Sequence, residues 1–228
     1  MRTAILGTGI VGRTLAVKLL ELGHIVSIGT RDVDKTLSDD TPDRYENLTF
    51  KEWVDKNSQA ELQTFADAAK EADVLFNCTS GMVSLSALEL AGTSNMNGKL
   101  LIDVANPLDF SNGMPPSLSI VNTDSLGEQI QKKFSEVRVV KALNTLNAYL
   151  MVNPEILKGE HNLFICGNDA EAKLKTMDIL TSFGWNADQI IDLGDISNSR
   201  ATEMLLPLWI RLFQKFGTGE FNFHIQSN

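Results

Sequence analysis

Cysteine is scarce in this chain of 228 residues, which holds only Cys78 and Cys166 and no CxxC pair. This scarcity excludes a disulfide framework, and no His/Cys cluster has the spacing of a metal site. Each cysteine ends an apolar run, so we expect two buried thiols on strands. No charged-then-apolar leader precedes the strand-like MRTAILG, and the sequence therefore predicts a reducing, cytoplasmic location.

Positive charge and long apolar runs are also lacking. Lysine and arginine number 20 against 29 acidic residues, which gives a net charge of −9. An acidic chain without a basic block binds nucleic acids and anionic membranes poorly. No apolar stretch reaches the length of about 18 residues that a membrane span needs. We expect neither nucleic acid nor membrane as a partner, and any anionic ligand must be bound by a local cluster.

Strand-like and helix-like segments alternate along the chain. The predicted strands are 2–6, 24–29, 62–64, 73–78, 99–104, 137–142, 162–166 and 189–192. The predicted helices are 10–22, 51–56, 65–71, 84–91, 125–134 and 170–183, and 106–117 is a predicted loop. This alternation favours an α/β fold with a doubly wound, mostly parallel sheet. We expect this sheet to occupy residues 1–194, and residues 195–228 to form a C-terminal helical segment.

The helical segment contains an unusual run, 202–216, that is apolar on almost every side. A helix apolar on every face is expected to be buried on every face. Pro207 should kink this helix or lie in its first turn. Three roles are open for it: a core helix, a wall of a ligand pocket, and a homodimer interface.

A glycine motif joins the first predicted strand to the first predicted helix. It is GxGxxG, formed by Gly7, Thr8, Gly9, Ile10, Val11 and Gly12. In such a motif the first glycine allows the tight turn, the second lets a pyrophosphate approach, and the third lets helix and strand pack. The uncapped helix end then attracts phosphate. The motif predicts a Rossmann domain that binds a dinucleotide.

The end of the second predicted strand indicates which dinucleotide is bound. NAD enzymes place an acidic residue about 20 residues after the glycines, to hold the ribose 2′-hydroxyl. Thr30 stands at about this place, followed by Arg31, with Lys35 one helical turn later. These three residues favour the 2′-phosphate of NADP, whereas Asp32 would weaken that preference if its carboxylate pointed inward.

Three further strand ends should face the same cleft. They carry Thr79-Ser80-Gly81, Asn106-Pro107 and Asn144-Thr145, none of which is a proton-transfer group of suitable pKa. The three histidines lie elsewhere, and Lys141 lies within a strand, where we expect it to be structural or near the dinucleotide. With no catalytic side chain assigned, the pattern is typical of hydride transfer between two redox cofactors by positioning alone.

The chain resembles the NADPH:F420 oxidoreductases over nearly its full length. The resemblance rests on GTGIVG, GTRD with Lys35, VVKALN, the CGND of 166–169 and SNSRATEMLLPL at 197–208. VVKALNTLNA and CGND are also similar to the cytoplasmic NADPH/flavin domain of the six-transmembrane metalloreductases. The resemblance implies an NADP(H)-dependent, flavin- or deazaflavin-reducing oxidoreductase, with F420, FMN or FAD as the second cofactor.

The resemblance also implies roles for individual residues. Thr8, Ile10 and Val11 would touch the pyrophosphate, and Thr30, Arg31 and Lys35 the 2′-phosphate. Thr79, Gly81, Asn106 and Ala148 would line the nicotinamide end, and Asn144, Leu146, Met204, Leu206 and Phe221 the acceptor pocket. The acceptor half departs from the family, which carries histidine at Asn144, polar residues at Met204 and Leu206, and an aromatic residue at Gly81.

Two other functions compete with hydride transfer to a flavin. The first is a small-molecule dehydrogenase of the 3-hydroxyacid or imine-reducing kind, which Lys141 pointing into the cleft would favour. The second is a non-catalytic NADP(H) sensor, which would bind both redox states and lack an acceptor pocket.

Overall fold

Eight strands form one sheet at the centre of the computed structural model, which describes residues 1–43 and 46–227. They are β1 (Arg2–Leu6), β2 (Ile25–Thr30), β3 (Ala60–Thr64), β4 (Val74–Asn77), β5 (Leu100–Asp103), β8 (Arg138–Ala142), β9 (Leu163–Gly167) and β10 (Ile190–Asp192). Their order is β10-β9-β8-β5-β4-β1-β2-β3. All neighbours pair in parallel except β8 and β9, which are antiparallel. The predicted doubly wound, mostly parallel Rossmann sheet is confirmed.

Helices flank both faces of this sheet. They are α1 (Ile10–Glu21), α2 (Val33–Ser38), α3 (Phe50–Lys56), α4 (Phe65–Glu71), α5 (Ser84–Ala91), α6 (Thr93–Met96), α7 (Leu126–Lys133), α8 (Ala148–Val152), α9 (Ala170–Ser182), α10 (Ser199–Met204) and α11 (Leu206–Phe216). Successive side chains of β1 point to opposite faces of the sheet, and each face is covered by a layer of helices. Ile5 belongs to one buried cluster, while Ala4 and Leu6 belong to the cluster on the opposite face. Among the described residues, no helix is both long and apolar enough to cross a membrane.

The first crossover follows the sequence pattern closely. Leu15 and Leu19 of α1 are fully buried, because helical spacing puts them on the face that packs against the sheet. Gly23 has a φ of +77°, a conformation that favours glycine, and it stands directly after the end of the helix. The chain then enters β2 and completes the predicted strand-helix-strand unit.

Short elements occur in segments for which neither a helix nor a strand was predicted. The segment predicted as a loop at 106–117 was wrong in part, since β6 (Leu108–Asp109) pairs antiparallel with β7 (Ser117–Leu118). In the region 32–60, α2 was also missed. Strands of two residues and helices of six carry too few positions for apolar periodicity to reveal them.

The C-terminal helix departs most from expectation. It is two helices, α10 and α11, with Pro207 in the first turn of α11, where a missing N–H costs nothing. Burial on every face was wrong: Leu206 and Ile210 are buried, but Leu208 is 50% and Phe216 57% exposed. Two aromatic residues, Phe213 and Phe221, stack on Trp209 with ring centroids 5.5 and 5.2 Å away.

After α11 the chain runs back across the start of β9. The N–H of Asn162 donates to the carbonyl of Phe223 at 2.8 Å, and the Asn162 side chain accepts from the N–H of Ile225 at 2.7 Å. These bonds tie the described part of the C-terminal segment to the sheet. The division at residue 194 stays a prediction.

Candidate functional site

A cleft of about 730 Å³ opens at the carboxyl ends of β1, β2 and β4. Ligands of doubly wound sheets bind at this edge. Eight of the predicted cofactor residues line it: Gly7, Thr8, Gly9, Thr30, Arg31, Lys35, Thr79 and Ser80. Six others are absent from the described lining: Ile10, Val11 and Gly12 in the first turn of α1, Gly81, Asn106, and Ala148 at the start of α8.

The glycine loop has the geometry that an anion site needs. Gly7 has a φ of +123°, and a side chain there would lie 2.7 Å from the carbonyl oxygen of Cys78. A Cβ on Gly12 would lie 2.4 Å from the carbonyl oxygen of Gly7, whereas a Cβ on Gly9 would meet nothing within 4 Å. Gly9 is the N-cap of α1 and offers no capping side chain. No side chain therefore caps the first N–H groups of α1, which leaves them available to a phosphate.

Arg13 supports this loop and was missed by the sequence analysis. Its Nε donates to the carbonyl of Thr8 at 3.0 Å, and its Nη1 donates to the carbonyl of Leu48 at 3.2 Å. The buried guanidinium also lies 5.2 Å from the ring centroid of Phe50. An arginine directly after the last motif glycine was the available signal. Arg13 ties the phosphate loop to the segment that precedes α3.

The residues predicted to determine the preference for NADP over NAD lie at the far end of the cleft. Asp32 caps α2, because its Oδ1 accepts from the N–H of Lys35 at 3.0 Å. Thr36 donates to the Asp32 carbonyl at 2.8 Å, so the 2.7 Å contact between the hydroxyls of Thr30 and Thr36 has Thr30 as donor. The exposed guanidinium of Arg31 makes no hydrogen bond or ion pair with the residues described. Arg31 is therefore free to meet a bound phosphate.

Asn106 and Asn144 face each other at the ends of β5 and β8. Asn106 Nδ2 donates to the carbonyl of Asn144 at 2.7 Å, and Asn144 Nδ2 donates to Asn106 Oδ1 at 2.9 Å. The buried Oδ1 of Asn144 has no hydrogen-bond partner in the described part of the chain. Leu143, just before it, has a φ of +64°, which is strained for leucine. Gly81 packs so closely that a Cβ would lie 2.0 Å from the Asn106 carbonyl oxygen, so no larger residue fits there.

The other predicted acceptor residues are divided between core and surface. Leu146 and Leu206 are buried, Met204 is exposed, and Phe221 is half-buried against Trp209. None of the five acceptor residues is among the described residues that line the cleft. Their assembly into one pocket stays a prediction.

Lys141 is sealed inside the protein and does not point into the cleft. Its Nζ lies 2.8 Å from Asp103 Oδ2 and 2.8 Å from Glu203 Oε1, with all three side chains almost completely buried. Burial alone would lower the pKa of Lys141, but the two carboxylates outweigh it and raise that pKa. Glu203 also accepts from the N–H groups of Leu126 and Gly127 at the start of α7. Of the two alternatives expected for Lys141, a structural position or one near the dinucleotide, the buried ion pair agrees with the first.

The two cysteines differ from each other. Cys166 is buried on β9, as expected, and burial raises the pKa of its thiol to about 12. The prediction for Cys78 was wrong, since it follows β4, is half-buried and lines the cleft. Burial also raises the pKa of the Cys78 thiol, with the Asp103 carboxylate adding to it. Cys78 is therefore a neutral thiol and a poor nucleophile.

The remaining lining of the cleft gave no signal in the sequence. These residues come from several separate segments that only the fold brings together: Gly29, Thr36, Asp39, Thr41, Phe50, Phe65, Val83, Ser86, Ala87 and Leu90. The aromatic members stand in apolar positions that read as core, and Phe50 and Phe65 are indeed nearly buried.

Comparisons with known proteins indicate the family of the chain. A model of the coenzyme F420-dependent NADP oxidoreductase family matches residues 2–107. A crystal structure of a candidate F420-dependent NADP-reductase from Arthrobacter sp. FB24 is 51% identical, with a TM-score of 0.93 over 100% of both chains. The F420-dependent NADP reductase of Methanothermobacter marburgensis is 28% identical over 93% of this chain and 92% of its own.

A longer protein is similar as well. Metalloreductase STEAP3 of Rattus norvegicus is 26% identical over 213 residues, which make up 91% of this chain and 38% of that protein. The chain thus spans little more than a third of that metalloreductase. The full-length match at 51% identity shows the family, and the family model agrees with it over residues 2–107. This chain belongs to the F420-dependent NADP oxidoreductase family and is an NADP-dependent oxidoreductase.

Proposed function

We propose that this enzyme passes a hydride between NADPH and a flavin or deazaflavin acceptor, and that no side chain acts as acid or base. One observation carries the proposal: the buried lysine that could donate a proton is sealed by two carboxylates. No histidine lines the cleft in the part of the chain that the structure describes. A direct hydride transfer needs positioning and exclusion of water rather than a proton donor.

The predicted cofactor residues are assigned along the length of the dinucleotide. Gly7, Thr8 and Gly9, with Ile10, Val11 and Gly12 behind them, would hold the pyrophosphate at the uncapped end of α1. Arg31 and Lys35 would hold the 2′-phosphate by their positive charge, and the uncharged Thr30, whose hydroxyl proton goes to Thr36, would line the site without repelling it. Thr79, Ser80, Gly81, Asn106 and Ala148 would line the nicotinamide end. The bound nicotinamide supplies the hydride, and the protein aligns it with the acceptor.

The proposed hydride acceptor is F420, FMN or FAD. We assign it to the neighbourhood of Asn144, Leu146, Met204, Leu206 and Phe221. The relatives named for F420 favour the deazaflavin, and the metalloreductase relative supports a redox acceptor more generally. Asn144, whose Oδ1 is a buried acceptor without a described partner, is suited to receive an N–H from an isoalloxazine or deazaflavin ring.

The test is NADPH oxidation under anaerobic conditions, with F420, FMN and FAD offered separately. We expect turnover with one of them, and slower transfer in a single turnover when the transferred hydrogen of NADPH is deuterium. A control variant is Lys132→Ala, which should keep the wild-type turnover because it removes an exposed charge on α7, far from the cleft in sequence. Tight binding of NADPH and NADP⁺ without turnover of any acceptor would contradict the proposal and favour an NADP(H) sensor.

The dehydrogenase or imine-reductase alternative has less support. Such enzymes usually present a lysine or another proton donor to the substrate, and Lys141 is fully buried. Turnover of a 3-hydroxyacid or an imine, with none of the three redox cofactors accepted, would favour it instead.

We also propose that the chain forms a homodimer through α11. Exposed large apolar side chains on one helix, here Leu208 and Phe216, are typical of an interface. Light scattering after size exclusion should give twice the chain mass of 25.1 kDa. The double variant L208E/F216E should elute as a folded monomer, and a monomeric wild type at micromolar concentration would contradict the dimer.

A reducing, cytoplasmic location remains part of this proposal. Cys78 and Cys166 are both free thiols, which is the usual state in a reducing compartment.

A further inference from the structure

A chain of hydrogen bonds leads from the buried ion pair to the cleft. Asp103 Oδ2 pairs with Lys141, and Asp103 Oδ1 accepts from Asn77 Nδ2 at 2.8 Å. Asn77 Oδ1 in turn accepts from the hydroxyl of Thr79 at 2.7 Å and from the Thr79 N–H at 3.3 Å. Asn77, Asp103 and Lys141 are completely buried, whereas Thr79 lines the cleft.

The negative charge of Asp103 determines which group donates in each hydrogen bond between Asp103 and Thr79. As the carboxylate partner of an ammonium group, Asp103 can only accept, so Asn77 must turn its NH₂ toward it. The oxygen of the Asn77 amide then faces Thr79 and accepts the single hydroxyl proton of that residue. Ser84 Oγ lies 2.8 Å from Thr79 Oγ1 and donates its own proton to the Ser80 carbonyl at 3.2 Å. Toward a ligand, Thr79 can therefore offer only a lone pair of its hydroxyl oxygen.

The position of Thr79 in the sheet indicates which part of a dinucleotide it meets. The glycine loop follows β1, which lies between β2 and β4. A dinucleotide with its adenosine over Thr30 and Arg31 therefore has its nicotinamide over β4, where Thr79 stands. The carboxamide of that ring carries two N–H donors.

We infer that Asn77 and Asp103 are positioning residues that hold the Thr79 hydroxyl as a hydrogen-bond acceptor for the carboxamide N–H of the nicotinamide. This inference rests on the proposed function for the direction in which the dinucleotide lies. Fixing the carboxamide fixes the rotation of the ring, and thereby the face from which the hydride leaves. Asp103 thus links the packing of the core to the orientation of the cofactor.

The experiment compares binding of NADPH with binding of its 3-acetylpyridine analogue. The analogue has a methyl ketone in place of the amide and donates no hydrogen bond. Wild type should bind NADPH about tenfold more tightly, because the analogue leaves an acceptor unpaired. The thionicotinamide analogue, which keeps its N–H groups, should bind nearly as well as NADPH.

Three variants test whether the discrimination between NADPH and the acetylpyridine analogue depends on Thr79 and Asn77. In Thr79→Val the ratio of the two dissociation constants should fall below about twofold, whereas Thr79→Ser should keep the wild-type ratio. Asn77→Ala should also lower the ratio, because the Thr79 hydroxyl is then free to turn and donate. A merely structural role would weaken NADPH and the analogue alike and leave their ratio unchanged.

Two results would overturn the inference. One is equal binding of NADPH and the acetylpyridine analogue by wild type, which needs no variant to fold. The other is a folded Thr79→Val protein that keeps the wild-type ratio. Failure of wild type to bind NADPH at all would instead count against the proposed function, and the measurement requires no acceptor.

Discussion

Replacing Lys141 by methionine is expected to lower the free energy of unfolding by about 3–5 kcal/mol. The substitution keeps most of the side-chain volume but removes the ammonium group from between Asp103 and Glu203, each of which lies 2.8 Å from it. Both carboxylates would remain buried with their charge uncompensated. Their other partners, backbone N–H groups and the Asn77 amide, are neutral.

Thermal unfolding monitored by circular dichroism measures this effect. In a chain of this size each kcal/mol shifts Tm by about 2–4 °C, so Lys141→Met should lose about 6–20 °C. The matched control is Lys51→Met. Lys51 also pairs with an aspartate, Asp55, at 2.9 Å, but both side chains are 60% exposed, so the change should stay below about 1 kcal/mol. A similar loss of Tm in Lys141→Met and Lys51→Met would contradict the prediction that burial makes the Lys141 ion pair more important for stability.

Replacing Arg31 by alanine is expected to weaken NADPH binding about tenfold while changing NADH binding less than about twofold. The two cofactors differ only in the 2′-phosphate, and a contact to a charged group is worth about one order of magnitude after allowance for exposure. The exposed side chain of Arg31 lines the cleft, as Lys35 also does, and it makes no hydrogen bond to the described residues.

Titration calorimetry or quenching of cofactor fluorescence gives both dissociation constants. Lys132→Ala is again the matched control, since it removes one positive charge elsewhere and should leave the preference for NADPH intact. Equal losses for NADPH and NADH in Arg31→Ala would contradict the 2′-phosphate role. Asp32 should not reverse the preference, because its carboxylate already caps α2.

The sequence by itself determined the first crossover and the phosphate loop. Both depend on neighbouring positions: apolar spacing defines the buried face of α1, and Gly7 and Gly12 stand where any side chain would meet backbone. The same local rules predicted the alternation of strands and helices, and with it the parallel sheet. Local pattern was insufficient for β6 and β7, which pair over two residues each.

Only the tertiary structure decided what distant residues do together. Lys141 read as one polar residue in an apolar strand, and nothing in its surroundings named Asp103 or Glu203 as partners. The apolar run at 202–216 was predicted to be buried on every face. Composition shows how apolar a helix face is, but not whether the fold supplies a surface that covers it. Arg13 and Phe50 likewise meet only because the chain returns past the glycine loop. Adjacent residues determine the local backbone conformation, whereas the packing of the whole chain determines which side chains are buried and which residues pair.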